Sequence, residues 1–163
     1  MNLWLRLLLL RLSLRRRSSV DLLDEIALDL RVWPTDLDLL GHVNNGRFLS
    51  LMDLGRVALM ARIGLLDVAR QQQWTPLVRN IDINYYKPLF LGQRYRLHTR
   101  VLGWDEKWLY VGQRFDRGET LIAEARVRGL LRGREGNIPT ARVLHMLDQP
   151  GRVSPPLPPT RTD

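Results

Sequence analysis

The chain has 163 residues, of which 45% are hydrophobic and 26% are charged, and its formal net charge is +8. A chain of this size and composition is expected to form one globular domain with its own core. The absence of cysteine excludes disulfides, thiolate metal sites and cysteine nucleophiles. The three histidines (His42, His98 and His145) are too scattered in sequence to predict a metal site. No nucleic-acid-binding module is recognisable, so the excess of arginine indicates either an anionic partner or an ordinary solvated surface.

Residues 1–19 are predicted to form a basic, apolar N-terminal helix. Nine of the twelve residues from Leu3 to Leu14 are apolar, and three arginines follow. The segment is shorter than the roughly 20 residues that a membrane-spanning helix needs, and it lacks the cleavage site of a secretory signal. It is therefore expected either to lie on an acidic membrane surface or to pack on the protein or a partner subunit. The expected location is the cytoplasm, with peripheral membrane contact as one outcome.

A strand, a charged loop and a helix follow in order. Apolar residues alternate with other residues from Ile26 to Val32, which predicts a half-buried strand that Pro34 ends. Residues 36–45 (DLDLLGHVNN) then place two carboxylates and a histidine just ahead of two asparagines suited to capping a helix. Residues 48–63 are apolar except for a narrow polar stripe, so the predicted helix is expected to be surrounded by other structure and to end at Gly64.

Four further strands are predicted after Pro76, at residues 80–85, 94–101, 107–115 and 120–131. Short polar turns separate the last three, and connections of that length make antiparallel hairpins. We therefore expect the four strands to form a meander. Residues 149–163 contain five prolines and are predicted to be an extended, disordered tail beyond a domain that spans residues 20–148.

One architecture of the α+β class accommodates these elements. A curved antiparallel sheet wrapped around one central helix, the hotdog fold, buries the helix on most sides. The alternative is a sandwich with a helix at one end, which would leave much of the apolar surface of the helix uncovered.

Two segments resemble a known family. Residues 33–48 (WPTDLDLLGHVNNGRF) are similar to the opening motif of the 4-hydroxybenzoyl-CoA thioesterase family of hotdog proteins. Residues 101–110 (VLGWDEKWLY) resemble, more narrowly, the thioesterase superfamily member six-like group. The resemblance extends from about residue 28 to residue 139. It implies an acyl-CoA thioesterase that needs no metal or cofactor. A hotdog sheet leaves an edge strand and an apolar helix flank that a second copy can cover, so we expect a homodimer or homotetramer. The resemblance implies that the acyl site lies at that subunit boundary.

The resemblance also implies roles for individual residues. Asp38 matches the catalytic carboxylate of the family, and the backbone N–H of Asn45 matches the group that polarises the thioester carbonyl. Lys107 lies near where related enzymes present basic residues to the phosphates of coenzyme A. His42 is expected to orient the substrate or Asp38, or merely to form a hydrogen bond within the loop. Asp36 is expected to be structural.

The chemistry is consistent with these residue types. A carbonyl oxygen that gains negative charge is stabilised by an N–H at a helix start. Asp38 could attack the carbonyl directly, giving a mixed anhydride, or activate a water as a general base. From the residues alone, Asp38 could also be a turn-forming residue. The alternative function is a hotdog protein that binds acyl chains or lipid at a membrane surface without turnover, and a dehydratase or hydratase is a weaker third.

Overall fold

The computed structural model describes residue 6 and residues 19–157. The strands are β1 (Ile26–Arg31), β2 (Thr75–Tyr85), β3 (Arg94–Trp104), β4 (Leu109–Arg117), β5 (Thr120–Gly133) and β6 (Gly136–Ile138). The helices are α1 (Asn45–Arg62), α2 (Leu65–Gln72) and α3 (Thr140–Met146), and a 3₁₀ turn spans Pro34–Asp36. The predicted N-terminal helix lies outside the described residues, except for Arg6 and Ser19.

All the strand pairs in the sheet are antiparallel, and the strand order is β1-β3-β4-β5-β2, with β6 on the far end of β5. The two hairpins predicted from short turns, β3-β4 and β4-β5, are confirmed. The predicted meander of four strands is wrong, because β2 pairs with β5 and not with β3. Residues 86–93 are long enough to carry the chain across the end of the curled sheet, and they pass the loop before α1 on the way.

Helix α1 lies against the inner face of the sheet, as the sequence predicted. Its buried side chains, such as Phe48 and Leu51, belong to the same core as Leu97 and Phe115 of the sheet. One flank of α1 is not covered by the described residues, since Leu49 and Asp53 are exposed. The helix is therefore surrounded on most sides but not on all.

Helix α1 approaches the sheet closely at Gly55, above a buried polar network. A Cβ atom at Gly55 would lie 2.8 Å from Nε2 of Gln113, so a side chain there would displace the network. Gln113 donates to the carbonyl of Met52 at 2.9 Å and to Oγ1 of Thr99 at 3.1 Å. Arg56 donates to Oε1 of Gln113 at 2.7 Å, and burial lowers the pKa of Arg56.

Helices α2 and α3 were not predicted, and they close one end of the sheet. They form a second core cluster with Trp74 and Leu131, in which Leu65, Ala69 and Val143 are buried. Helix α2 begins directly after Gly64, whose φ of +81° allows the sharp change of direction after α1. No helix among residues 19–157 is long and apolar enough to span a membrane.

The start of the proline-rich tail, as far as residue 157, contacts the domain through side chains, and the disorder predicted for residues 149–163 stays a prediction. Arg152 donates to both carboxylate oxygens of Asp21, at 2.6 and 2.8 Å, and this contact holds the pKa of Asp21 well below its usual range. Ser154 accepts a hydrogen bond from the N–H of Trp104 at 2.8 Å. Side-chain contacts thus hold a segment whose prolines keep it out of the sheet.

Candidate active site

The loop before α1 folds back on itself as a narrow antiparallel turn. Leu37 and Val43 form an isolated bridge, and the N–H of Asp38 donates to the carbonyl of His42 at 2.9 Å. The N–H of Gly41 donates to the carbonyl of Asp38 at 3.1 Å, and Gly41 has a φ of +79°, which favours glycine. This backbone pairing places Asp38 and His42 side by side.

The carboxylate of Asp38 contacts both the turn and the histidine. Its Oδ1 accepts the N–H of Leu40 at 2.9 Å, and its Oδ2 lies 3.2 Å from Nδ1 of His42. The side chains of Asp38 and His42 are 22% and 33% exposed, so the pair is neither sealed in the core nor fully in solvent. The bond to Leu40 is the turn-forming contact that the sequence also predicted. The same carboxylate therefore orders the loop and leaves a second oxygen beside an imidazole.

The start of α1 presents a backbone donor next to this loop. The side chain of Asn44 accepts the N–H of Gly46 at 2.8 Å, and the carbonyl of Asn44 accepts the N–H of Arg47 at 2.8 Å. The N–H of Asn45 has no acceptor among the described residues. It lies at the first position of the helix, where the macrodipole carries about half a positive charge.

Two bonds connect the start of α1 to its surroundings, one to the loop and one to β2. The N–H of Asn44 donates to the carbonyl of Asp36 at 3.0 Å, so the strand of the turn that carries Asp38 runs beside the first helical residues. On the other side, the hydroxyl of Tyr85, at the end of β2, donates to the carbonyl of Asn45 at 3.1 Å. Burial raises the pKa of Tyr85 above its ordinary value.

Asp36 has the structural position that the sequence predicted for it. Its side chain is buried, and its Oδ2 accepts one hydrogen bond from the guanidinium of Arg6 at 2.6 Å and another from the N–H of Trp33 at 2.9 Å. Its Oδ1 accepts Nε of Arg47 at 2.9 Å. This buried cluster lies beneath the loop and connects a residue of the N-terminal segment to the first turn of α1.

Three residues near the site were not predicted. Arg47 was assigned only to the polar stripe of the helix, Arg6 only to a basic segment, and Tyr85 only to a strand. A signal existed for Arg47, since its position three residues after Asn44 places it in the first turn of the helix. Tyr85 is 40 residues from Asn45 in sequence, and Arg6 is 30 residues from Asp36, so no local pattern connects them to the site.

The structure does not bring Lys107 to Asp38 within one chain. Lys107 lies in the β3-β4 turn, where its Nζ is 4.7 Å from the centre of the Trp108 ring. Residues 86–93, which cross the end of the sheet, meet the loop before α1 (the site loop, residues 36–44) at the other end of β3, through a bridge between His42 and Phe90. An extended strand of 11 residues separates these two ends by about 33 Å.

Exposed apolar side chains surround the site loop. Leu39 is fully exposed at the tip of the turn, and Leu40 is largely exposed beside it. Phe90 and Leu91, on the crossing segment that pairs with the loop, are also about half exposed. Among residues 19–157 and Arg6, no three His, Asp or Glu side chains come together as a metal site.

Sequence comparison with known proteins confirms the resemblance to hotdog thioesterases. The family model described as "Thioesterase-like superfamily" matches residues 32–160. "Protein THEM6" of Danio rerio is 41% identical over 95 residues, which cover 58% of this chain and 47% of that protein. The chain thus spans about half the length of the curated relatives that it matches.

Solved structures support the fold. The chain is similar to the YbaW probable thioesterase from Escherichia coli, with a TM-score of 0.70 and 18% identity over 78% of this chain and 99% of that one. It is also similar to the hypothetical protein SAV2348 from Staphylococcus aureus, solved in complex with CoA, with a TM-score of 0.64 and 13% identity over 85% of this chain and 94% of that one. These likenesses confirm the α+β hotdog fold. The match of the family model over residues 32–160 establishes that the chain belongs to the Thioesterase-like superfamily.

Proposed function

We propose that this protein is an acyl-CoA thioesterase, which hydrolyses an acyl-CoA to a free acid and coenzyme A. The observation that carries the proposal is the position of the Asp38–His42 pair on a loop bonded to the start of α1, where the N–H of Asn45 has no acceptor among the described residues. Membership of the Thioesterase-like superfamily supports the reaction class. The CoA complex of the structurally similar SAV2348 supports coenzyme A as the carrier.

The N–H of Asn45 would polarise the thioester carbonyl. As the carbonyl is attacked, its oxygen gains negative charge, which the N–H and the positive end of α1 stabilise more in the transition state than in the substrate. In other enzymes, removal of one such donor costs about 10²–10³ in rate. A backbone donor cannot be deleted by a side-chain substitution, so the test of the site falls on Asp38.

Asp38 would act as the nucleophile or the general base. In the first route a carboxylate oxygen forms a mixed anhydride, the thiolate of coenzyme A leaves and takes up a proton, and water cleaves the anhydride. In the second route the carboxylate takes a proton from a water molecule that attacks the carbonyl, the C–S bond breaks, and the thiolate of coenzyme A leaves and takes up that proton. His42, 3.2 Å from Oδ2, would orient the carboxylate in either route.

The test is hydrolysis of a panel of short, long and aromatic acyl-CoAs by the Asp38→Asn variant, followed with a thiol-detecting reagent. The amide is nearly isosteric with the carboxylate but neither attacks a carbonyl nor takes up a proton, so kcat is expected to fall by at least about 10²-fold. Asp67→Asn is the matched control, because Asp67 is an exposed aspartate on α2 with only a loose contact of 3.9 Å to Arg70. Unchanged hydrolysis by Asp38→Asn would contradict the assigned role.

We further propose that the active form is at least a homodimer. Strand β2 lies at the edge of the sheet, most of its residues are exposed, and Leu77 and Val78 are exposed apolar side chains on it. An open edge of 11 residues is a template for pairing with a second copy. In such an assembly Lys107 would contact coenzyme A bound to the other chain.

The alternative function, binding of acyl chains or lipid at a membrane surface without turnover, is favoured by one observation. The exposed Leu39, Leu40, Phe90 and Leu91 form an apolar rim around the site loop, in a chain of net charge +8. Cosedimentation with anionic vesicles by a protein that hydrolyses no acyl-CoA of the panel would support this function in place of the enzyme. The cytoplasmic location stays a prediction.

A further inference from the structure

A cavity of about 420 Å³ lies between the second half of α1, the helices α2 and α3, and the sheet. Its lining is apolar and includes Val57, Met60, Val127, Leu130 and Val143. Among the described residues that line it, Asp53 and Arg56 alone are charged, and they form an ion pair with each other. A cavity of this size and lining is suited to an apolar ligand.

The cavity and the candidate active site lie along the same flank of α1. Asn45, Leu49, Asp53 and Val57 are spaced four residues apart, so each is a neighbour of the next on the surface of the helix. Leu49 is exposed, and Asp53 and Val57 line the cavity. Eight residues separate Asn45 from Asp53, which corresponds to about 12 Å along the axis.

Strand β2 forms the opposite side of this path. At one end, Tyr85 donates to the carbonyl of Asn45. At the other end, Leu77 and Val78 line the cavity. Between them, Ile81 and Ile83 are half-buried and pack against the core. The path from the site to the cavity therefore runs between the exposed Leu49 of α1 and strand β2.

We propose that this cavity receives the distal end of the substrate's acyl chain, so that the substrate class is aliphatic acyl-CoA with about ten carbons or more. The proposal rests on the proposed function, because it takes the position of the thioester carbonyl from the N–H of Asn45. An extended chain advances about 1.3 Å per bond, as three backbone bonds span 3.80 Å. About nine bonds are therefore needed to cover the 12 Å to the cavity. Short and aromatic acyl groups end before it.

The cavity also has an end wall. The far side of the cavity is formed by the two short helices. Helix α2 contributes Leu65 and Leu66, and α3 with the residue that follows it contributes Val143, Leu144 and Leu147. Once an acyl chain enters the cavity, each additional buried methylene is expected to raise kcat/KM about fourfold. The gain is expected to stop when the chain reaches the helices.

The first experiment measures kcat/KM for saturated acyl-CoAs from four to sixteen carbons. We expect little gain up to about ten carbons and a steep rise beyond. Val57→Trp fills the cavity with an indole, so the ratio of kcat/KM for hexadecanoyl-CoA to that for hexanoyl-CoA is expected to fall at least tenfold. Val68→Trp is the matched control, because Val68 is half-buried on α2 but does not line the cavity, and its ratio is expected to stay within twofold of wild type.

A second experiment measures binding without turnover, by displacement of a fluorescent fatty acid with hexadecanoate. Wild type and Val68→Trp are expected to bind hexadecanoate, and Val57→Trp at least tenfold more weakly. A flat chain-length profile, or a wild type that hydrolyses acyl-CoAs but binds no fatty acid, would overturn the cavity proposal and leave the thioesterase proposal intact. Fatty-acid binding that Val57→Trp weakens, without hydrolysis of any acyl-CoA, would overturn the thioesterase and support the cavity.

Discussion

Two aspartates, two residues apart in the same loop, have opposite surroundings. Asp36 is buried between Arg6 and Arg47, whereas Asp38 is partly exposed beside His42. Asp36→Asn is expected to lower the free energy of unfolding by about 3–5 kcal/mol, because it leaves the buried cation of Arg6 without a counter-charge. Denaturant unfolding measures the loss, and Asp38→Asn, in the same loop, is expected to cost less than about 1 kcal/mol. Equal losses in the two variants would show that Asp36 is not the structural residue.

From the sequence alone, residues could be predicted to lie close together only where they belong to one local pattern. Asp38, His42 and Asn45 lie within eight consecutive positions before a predicted helix, so their proximity follows from the turn and the helix start alone. Tyr85 and Arg6 reach the same loop through the tertiary fold. Their side chains carry no signal of this in a single sequence, because the pairing of β2 with β5 and the position of the N-terminal segment must be known first.

At the scale of elements, the β3-β4 turn depends on one carboxylate. Oδ1 of Asp105 accepts the N–H groups of Lys107 and Trp108 at 2.9 and 2.7 Å, and its Oδ2 accepts the hydroxyl of Tyr110 at 2.9 Å. Burial acts to raise the pKa of Asp105, but these hydrogen bonds lower it below its ordinary value. Since the pKa is lower in the folded state, the stabilisation is present above the unfolded value of about 3.9 and is lost as the pH falls through the folded value.

Asp105→Asn is therefore expected to destabilise the protein at pH 7 and to lose this disadvantage in acid. Denaturant unfolding at pH 7, 5, 4 and 3 gives the difference between wild type and variant, which should be constant down to about pH 5 and then shrink. Asp67→Asn, on the surface of α2, is the control and should show no such trend. A difference that grows in acid would contradict the lowered pKa.

Some strands and helices could be predicted from the sequence and others could not. The β3-β4 and β4-β5 hairpins were predictable, because their turns are too short for any other connection. The position of β2 was not, because residues 86–93 are long enough either to turn back or to cross the sheet. Helix α2 has only eight residues and α3 only seven, and so short a segment carries too few apolar positions to establish a helical period.

At the scale of the whole molecule, the described sheet has two edges of different character. β1 is a short edge of six residues, and β2 is an edge of 11 residues with exposed apolar side chains. Helix α1 begins beside Tyr85 at the end of β2, and its flank at Leu49 is uncovered. A second copy paired along β2 would cover both, and it would also enclose the path that leads from Asn45 to the cavity.

Hydrogen exchange can test this pairing without any substitution. In a monomer, alternate N–H groups of β2 face away from β5 and are expected to exchange rapidly, whereas in a dimer paired along β2 all of them are protected. We therefore expect consecutive amides of β2 to be protected as strongly as those of the central strand β4, and the protection to fall on dilution as the dimer dissociates. The outward amides of β1 are the internal control and should exchange rapidly at every concentration. Rapid exchange of alternate β2 amides at high protein concentration would show that the second copy, if one is present, binds elsewhere.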